Sequence, residues 1–158
     1  MPQGVVKPSN QVTAAGDPLR LEMEIGANAT AAQMVPGRVV IFDDADQTVK
    51  EAGAKAAGEV FVLDVDPDEL EATAYAVGDQ AMVLVGECIA KLTLLASENV
   101  TRGDALVTAA NGKVAKQAVG AMGAQGRVVG YAWESSNVTT YAEILVHWCP
   151  CAEPAAAS

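Results

Sequence analysis

The sequence predicts a mainly β protein, a small β-barrel or β-tulip-like domain with one short helix and an extended N-terminal arm. Short apolar runs recur along the chain with glycine, asparagine or serine between them, a spacing typical of barrels and sandwiches. Asn111-Gly112 separates two of these runs, as in a tight hairpin turn whose central residues both need positive φ. Since 51% of residues are hydrophobic but only 4% are aromatic, the core is built from small side chains.

Residues 1–18 are predicted to form an extended arm, because their prolines restrict the backbone and remove hydrogen-bond donors. We expect this arm to be mobile in the free protein, since its isolated valines are too few to fold alone. Residues 19–148 form the barrel domain, and residues 149–158, "CPCAEPAAAS", form a flexible tail.

The first strand of the domain is predicted from the alternation in "PLRLEMEIG" at residues 18–26. Leucine, methionine and isoleucine share one face of this run, and charged residues share the other, as in a half-buried strand. Further on, Asp66 can cap a helix that has Pro67 at its first position, which predicts a helix of about two turns over residues 67–73.

A weak internal duplication links the two halves of the domain. In "VPGRVVIFDDADQTVKEAG" and in "TRGDALVTAANGKVAKQAV" a glycine precedes a strand, a polar turn and a second strand that contains lysine. Each copy continues to a valine-rich strand and then to a run ending in three aliphatic residues, "MVLV" or "EILV". The sequence therefore predicts two related halves.

The formal net charge of -10 argues against nucleic acid as a direct partner, because phosphate binding depends on lysine and arginine. The basic residues are scattered singly, so no basic patch is predicted. We expect no signal peptide and no membrane span, because no apolar run has the required length. The three cysteines do not form an even disulfide framework.

Two groups of residues could bind a cation, and each has a simpler interpretation. His147, Cys149 and Cys151 alternate and are zinc-ligand types, but they lie near the terminus and structural zinc normally needs four ligands. The acidic residues of "DVDPDELE" resemble the start of a calcium loop that lacks the required glycine and the final bidentate glutamate, so helix capping accounts for them. "FDDAD" is interpreted as a solvated turn. We predict no metal and no cofactor.

The inventory for catalysis is poor, so the sequence does not predict an enzyme. His147 is the single histidine, and neither a nucleophile elbow nor a phosphate loop is present. Lys113 follows the predicted hairpin tip, and biotinyl and lipoyl carrier domains also have a hairpin lysine. Those domains place the lysine at the tip itself, where this chain has Asn111-Gly112. We therefore expect Lys113 to be a solvated strand residue, and the carrier module stays as the alternative function.

Residues 75–148 carry a series of motifs in a fixed order: "GDALV", "NGKV", an alanine- and glycine-rich link, "VVGYAWE" and the final strand "EILVHW". This series resembles the capsid decoration proteins, also called head-stabilising or cement proteins, of tailed phages and archaeal tailed viruses. The tail and the "DVDPDELE" insert depart from that pattern.

The resemblance implies a virion protein on the capsid exterior, made in the host cytoplasm, which forms a homotrimer and ties neighbouring major capsid proteins together. Exposed strand edges would also favour a symmetric oligomer. In this interpretation the arm adds as a strand to a sheet of the major capsid protein. The candidate capsid contacts are Val5, Val6, Pro8 and Val12.

Overall fold

The computed structural model describes residues 12–56, 58–65, 74–117, 127–137 and 142–150. Within these residues the chain is mainly β, as predicted, with two 3₁₀ turns, Ala31–Gln33 and Ala110–Gly112. The helix predicted over 67–73 lies outside the described residues. The strands in chain order are β1 (Thr13–Ala15), β2 (Leu19–Ile25), β3 (Val39–Phe42), β4 (Thr48–Glu51), β5 (Val60–Leu63), β6 (Gln80–Val85), β7 (Cys88–Leu94), β8 (Asn99–Val100), β9 (Ala105–Thr108), β10 (Val114–Lys116), β11 (Val128–Ala132), β12 (Ser136–Asn137) and β13 (Ala142–Trp148).

The first five strands after β1 close into a barrel, here called barrel one, in the order β2-β4-β3-β5-β6. The β2–β4 pair is parallel, and the other neighbours are antiparallel. The ring closes because β2 also pairs along β6, from Leu19 opposite Val85 to Glu24 opposite Gln80.

A second ring, here called barrel two, has the same topology. Its order is β7-β10-β9-β11-β13, and the β13–β7 pairing closes it. Again one pair, β7–β10, is parallel and the others are antiparallel. Strands β3 to β6 therefore correspond to β9, β10, β11 and β13, which confirms the internal duplication. The sequence comparison missed that β2 and β7 also correspond.

Three strands of barrel one are buried on both faces, which explains their unbroken apolar sequences. Val40, Phe61 and Val83 belong to the core inside barrel one. Their neighbours Val62 and Leu84, together with Val39, belong to a second cluster with the core residues of barrel two, including Leu92, Ile144, Val146 and Trp148. A fully buried valine or leucine contributes about 1.5–3 kcal/mol, so this shared cluster joins the two rings strongly.

The β9–β10 hairpin has its tip at Asn111-Gly112, as predicted. Both residues have positive φ, +61° and +71°, and Val114 pairs with Thr108 just behind them. The tip contacts barrel one. Gly112 N–H donates to the Ala52 carbonyl at 2.7 Å, and the Arg38 guanidinium donates to the Asn111 carbonyl at 2.7 Å. These two hydrogen bonds are called the tip contact below.

The predicted arm of residues 1–18 differs from the structure at its C-terminal end. Thr13–Ala15 pairs antiparallel with β7 and so extends the sheet of barrel two. Val12 is buried in the shared cluster, and its carbonyl accepts the Lys91 N–H at 2.7 Å. The burial of Val12 and the hydrogen bonds to β7 together offset the backbone entropy lost when this segment is ordered.

The sequence predicted that the whole apolar face of β2 is buried, and this is correct for only half of its residues. Met23 and Ile25 are buried, but Leu19 is 60% exposed and Leu21 is 38% exposed. The reason is the length of the neighbouring strand, because β4 pairs only with Glu24 and Ile25 of β2. Sequence alternation identifies a face of a strand, but it does not show where the adjacent strand ends.

Substituting Gly112 tests how much the tip contact stabilises the fold. A Cβ at Gly112 would lie 2.6 Å from the Val39 carbonyl oxygen, while a Cβ at Gly78, where φ is +88°, meets nothing within 4 Å. We expect Gly112→Ala to lower the free energy of unfolding by about 3 kcal/mol, and the control Gly78→Ala by about 1 kcal/mol, measured by chemical denaturation. If both variants lose the same free energy of unfolding, the close packing of the tip against barrel one does not stabilise the fold.

Candidate binding surface

Two large aromatic side chains lie exposed on the outer face of barrel two. Tyr131 on β11 is 45% exposed and Trp133, just after it, is 51% exposed. Tyr131 pairs with His147 on β13, and His147 pairs with Ile89 on β7. The side chains of Tyr131, His147 and Ile89 therefore form a row across the sheet. We call Tyr131, Trp133 and His147 the aromatic surface.

Contacts within the barrel fix the position of Trp133. Its backbone N–H donates to the Leu145 carbonyl at 2.9 Å, and its indole ring meets the His147 ring edge-on at 6.3 Å between centroids. The Nε2 of His147 is in turn held by the carboxylate of Glu87. The exposed indole is thus preorganised, which lowers the entropy lost when a partner binds it.

A shallow depression borders Trp133 and is lined by Thr101, Arg102, Glu134 and Ser135. The Arg102 N–H donates to the Ser135 hydroxyl at 2.9 Å, and the Leu145 N–H donates to the Glu134 carboxylate at 2.9 Å. The short β8–β12 ladder holds the two sides of the depression together. Its polar side chains therefore serve first to fix the loops around Trp133.

One ion pair and one histidine–carboxylate hydrogen bond lie on the face of the aromatic surface, in a chain whose net charge is -10. His147 pairs with Glu87, and Lys91 pairs with Glu143 at 2.7 Å on the same face. A partner that approaches this face therefore meets less repulsion than elsewhere on the acidic surface. Exposed tryptophan and tyrosine side chains are typical of protein interfaces.

The sequence analysis did not single out Tyr131 or Trp133. The signal was present in "GYAWE", because two aromatic residues two positions apart on a strand share one face. The alternating glycine and alanine are small, which leaves the aromatic side chains as the main features of that face. In a chain with so few aromatic residues, this pair was the informative one.

Of the four candidate capsid contacts predicted from the sequence, the structure describes one, Val12. Val12 is buried within the chain's own core, so its predicted role as a capsid contact is corrected: here it contacts this chain's own sheet. Val5, Val6 and Pro8 lie outside the described residues, and as capsid contacts they stay predictions.

The potential cation ligands are held in structural contacts. The Cys149 thiol lies 3.6 Å from the His147 carbonyl, where it can donate, while Cys151 lies outside the described residues. Asp64 is buried and pairs with Arg20 at 3.0 Å, and Asp66 and Asp68 lie outside the described residues. Across the described part of the chain, no group of three potential ligands converges on one point.

Asp43 corrects the interpretation of "FDDAD" as a solvated turn. Its side chain is only 2% exposed and pairs with Lys50 at 3.2 Å. It also accepts hydrogen bonds from the Asn28 backbone at 3.0 Å and from the Asn28 side chain at 2.9 Å. Burial raises the pKa of this carboxyl, but the hydrogen bonds from Asn28, Asp44 and Lys50 outweigh it and lower the pKa to about 2. Asp43 thus joins the loop after β2 to the β3–β4 turn.

Lys113 is also placed differently from the prediction of a solvated strand lysine. The residue is 2% exposed, because the hairpin tip is packed against barrel one. A carrier domain must present its lysine to a modifying enzyme, and burial prevents that access. The geometry therefore disfavours the carrier module.

Comparisons with known proteins give similarities to solved structures but none to a family profile or a curated sequence. No protein-family profile matches the sequence. No curated protein has a matching sequence. The crystal structure of the head fiber gp8.5 N base of bacteriophage phi29 is similar with a TM-score of 0.46 and 16% sequence identity, over 87% of this chain and 100% of that chain.

None of the described helical segments is long and apolar enough to cross a membrane.

Replacing Asp43 tests its structural role. We expect Asp43→Asn to lower the free energy of unfolding by roughly 2 kcal/mol at pH 7, because the ionised carboxylate accepts several hydrogen bonds. The folded pKa lies below the ordinary value of 3.8, so this stabilisation is present above pH 4 and is lost as the pH falls towards 2. The difference between wild type and variant should therefore narrow over that range.

Denaturation curves at pH 7, 4 and 3 measure the effect. Asp46→Asn is the matched control, since Asp46 lies exposed in the same turn. A stability difference between Asp43→Asn and wild type that is the same at all three pH values would contradict the role of the ionised carboxylate.

Proposed function

We propose that this chain is a structural virion protein that binds the outside of an expanded icosahedral capsid and stabilises it by tying neighbouring major capsid proteins together. The observation that carries the proposal is the agreement between the motif series and the strands of barrel two. Gly103-Asp104 precedes β9, Asn111-Gly112 forms the β9–β10 tip, and "VVGYA" and the final aliphatic run form β11 and β13. The series that resembles decoration proteins thus corresponds to four of the five strands of barrel two.

The physical character of the chain supports this function. Two closed rings joined by a shared core make a rigid body, as a protein with a mechanical role requires. A net charge of -10 is compatible with the capsid exterior, where the protein does not need to contact packaged DNA. We place its synthesis in the host cytoplasm and its final location on the virion.

Trimer formation is part of the proposal, but exposed strand edges no longer serve as a reason for it. The sequence analysis expected exposed strand edges to drive association, whereas both rings close on themselves and so pair most of their edges. The trimer therefore rests on the resemblance to decoration proteins. We assign the capsid contact to the aromatic surface, whose exposed tryptophan and tyrosine suit a protein partner.

Binding of purified protein to undecorated expanded capsids tests the function and the surface together. We expect co-sedimentation with the capsid, a higher temperature of capsid disruption, and density for two barrels on the exterior in a cryo-EM map. Stabilisation follows because a ligand that binds only the expanded shell shifts its equilibrium by mass action. Absence of the chain from purified particles, or an internal location, would contradict the proposal.

The variant Trp133→Ala should weaken capsid binding about 30-fold, because removal of a central tryptophan from an interface costs about 2 kcal/mol or more. Phe42→Ala is the matched control, since Phe42 is an aromatic residue of similar exposure on barrel one. Both variants should keep the unfolding temperature of the wild type within a few degrees. Equal binding by the two variants would remove the aromatic surface from the capsid contact.

A further inference from the structure

Strand β2 is paired unevenly along its two edges. On one edge it pairs with β6 from Leu19 to Glu24. On the other edge β4 pairs only with Glu24 and Ile25, and within the described ranges no strand pairs with that edge from Leu19 to Met23. This stretch is here called the open edge. It carries the exposed side chains of Leu19 and Leu21.

Barrel two shows what occupies the corresponding position. Strand β7 corresponds to β2, and its parallel neighbour β10 pairs with it only at Leu94. Further towards the start of β7, Thr13–Ala15 adds as an antiparallel strand opposite Ile89 and Ala90. The duplicated topology therefore provides a template: this edge of the barrel accepts a short extended segment of small and apolar residues.

The backbone of the open edge is oriented for the same kind of pairing. Glu24 N–H donates to the Gln47 carbonyl on the β4 side of the strand. Because alternate residues of a strand direct their backbone groups to the same edge, the N–H and C=O groups of Arg20 and Glu22 point to the open edge. These groups can pair with an added strand without disturbing the β2–β6 ladder.

The charge of the chain selects one segment as the occupant. Glu22 on the open edge and Glu24 just beyond it make this region acidic, and the nearby Arg20 is already paired with Asp64. Residues 1–11, "MPQGVVKPSNQ", contain no acidic residue, one lysine and two adjacent valines. A neutral-to-basic segment with apolar points complements an acidic edge with two exposed leucines.

The chain direction favours exchange between copies over pairing within one copy. β1 ends three residues before β2 begins, so an arm of the same copy, which joins the described chain at Val12, would have to reverse its direction to reach the open edge. We propose that the open edge of β2 receives an extended stretch of residues 1–11 from a second copy of this chain. This interaction does not depend on capsid binding, and it gives the arm a second copy rather than the capsid as its target.

Sedimentation equilibrium of the free protein tests the exchange. The full chain should self-associate, and deletion of residues 2–11, which leaves β1 intact, should give a monomer. Glu22→Pro should weaken association at least tenfold, because proline removes an N–H from the open edge while the β6 side keeps its donors. The matched control is Glu22→Ala, which removes the same carboxylate but keeps the N–H on the open edge. Circular dichroism confirms that each variant is folded.

A synthetic peptide of residues 1–11 provides an independent measurement on the folded deletion variant. Titration should shift the NMR amide signals of Arg20 and Glu22, and a V5D/V6D peptide should not. The proposal is overturned if the deletion variant keeps the mass of the full chain, or if the peptide leaves those signals unchanged. It is also overturned if the full chain is a monomer in which deletion alone shifts those signals, since the arm would then pair within its own copy.

Discussion

The packing of the β9–β10 hairpin tip against barrel one is the contact on which the arrangement of the molecule depends. The Gly112 N–H and the Asn111 carbonyl both bond to barrel one, to Ala52 and to Arg38. A reciprocal contact runs from the Thr93 N–H of barrel two to the Gly37 carbonyl at 3.1 Å. Around these bonds the outer faces of β3, β5 and β6 share one apolar cluster with barrel two, while barrel one also keeps a separate core inside its ring. Two barrels that would each be small and marginal alone are thereby joined by a shared apolar cluster, which enlarges the core of barrel two.

This contact also determines which surfaces remain for partners. The faces of the two barrels that meet are used for stability, so the aromatic surface of barrel two and the open edge of β2 are available for binding. They lie on different barrels and differ in chemistry, one aromatic with paired charges and the other a strand edge with exposed leucines. A rigid body with two such surfaces could contact a capsid through one and a second copy through the other. That combination suits a protein whose role is to connect other proteins.

Local patterns predicted much of this fold, but not the contacts between distant segments. The Asn111-Gly112 turn, the apolar strands and the duplication were accessible because each depends on neighbouring residues or on their order. The exposure of Leu19 was not, because it depends on where β4 ends, and the burial of Val12 and Lys113 depends on packing between the barrels. At the candidate binding surface the sequence pattern held the Tyr131 and Trp133 pair, yet only the structure shows that His147 and Glu87 hold the indole in place.

Native-state hydrogen exchange measures most directly whether the tip contact makes the two barrels one cooperative unit. The amides of Val62 in barrel one and Val146 in barrel two, both fully buried, report the opening of each ring. If the shared cluster couples the rings, both amides should exchange with the same free energy of opening, equal to that of global unfolding. An opening free energy for one ring that is lower by more than about 1 kcal/mol would show that it unfolds alone, and would contradict the account.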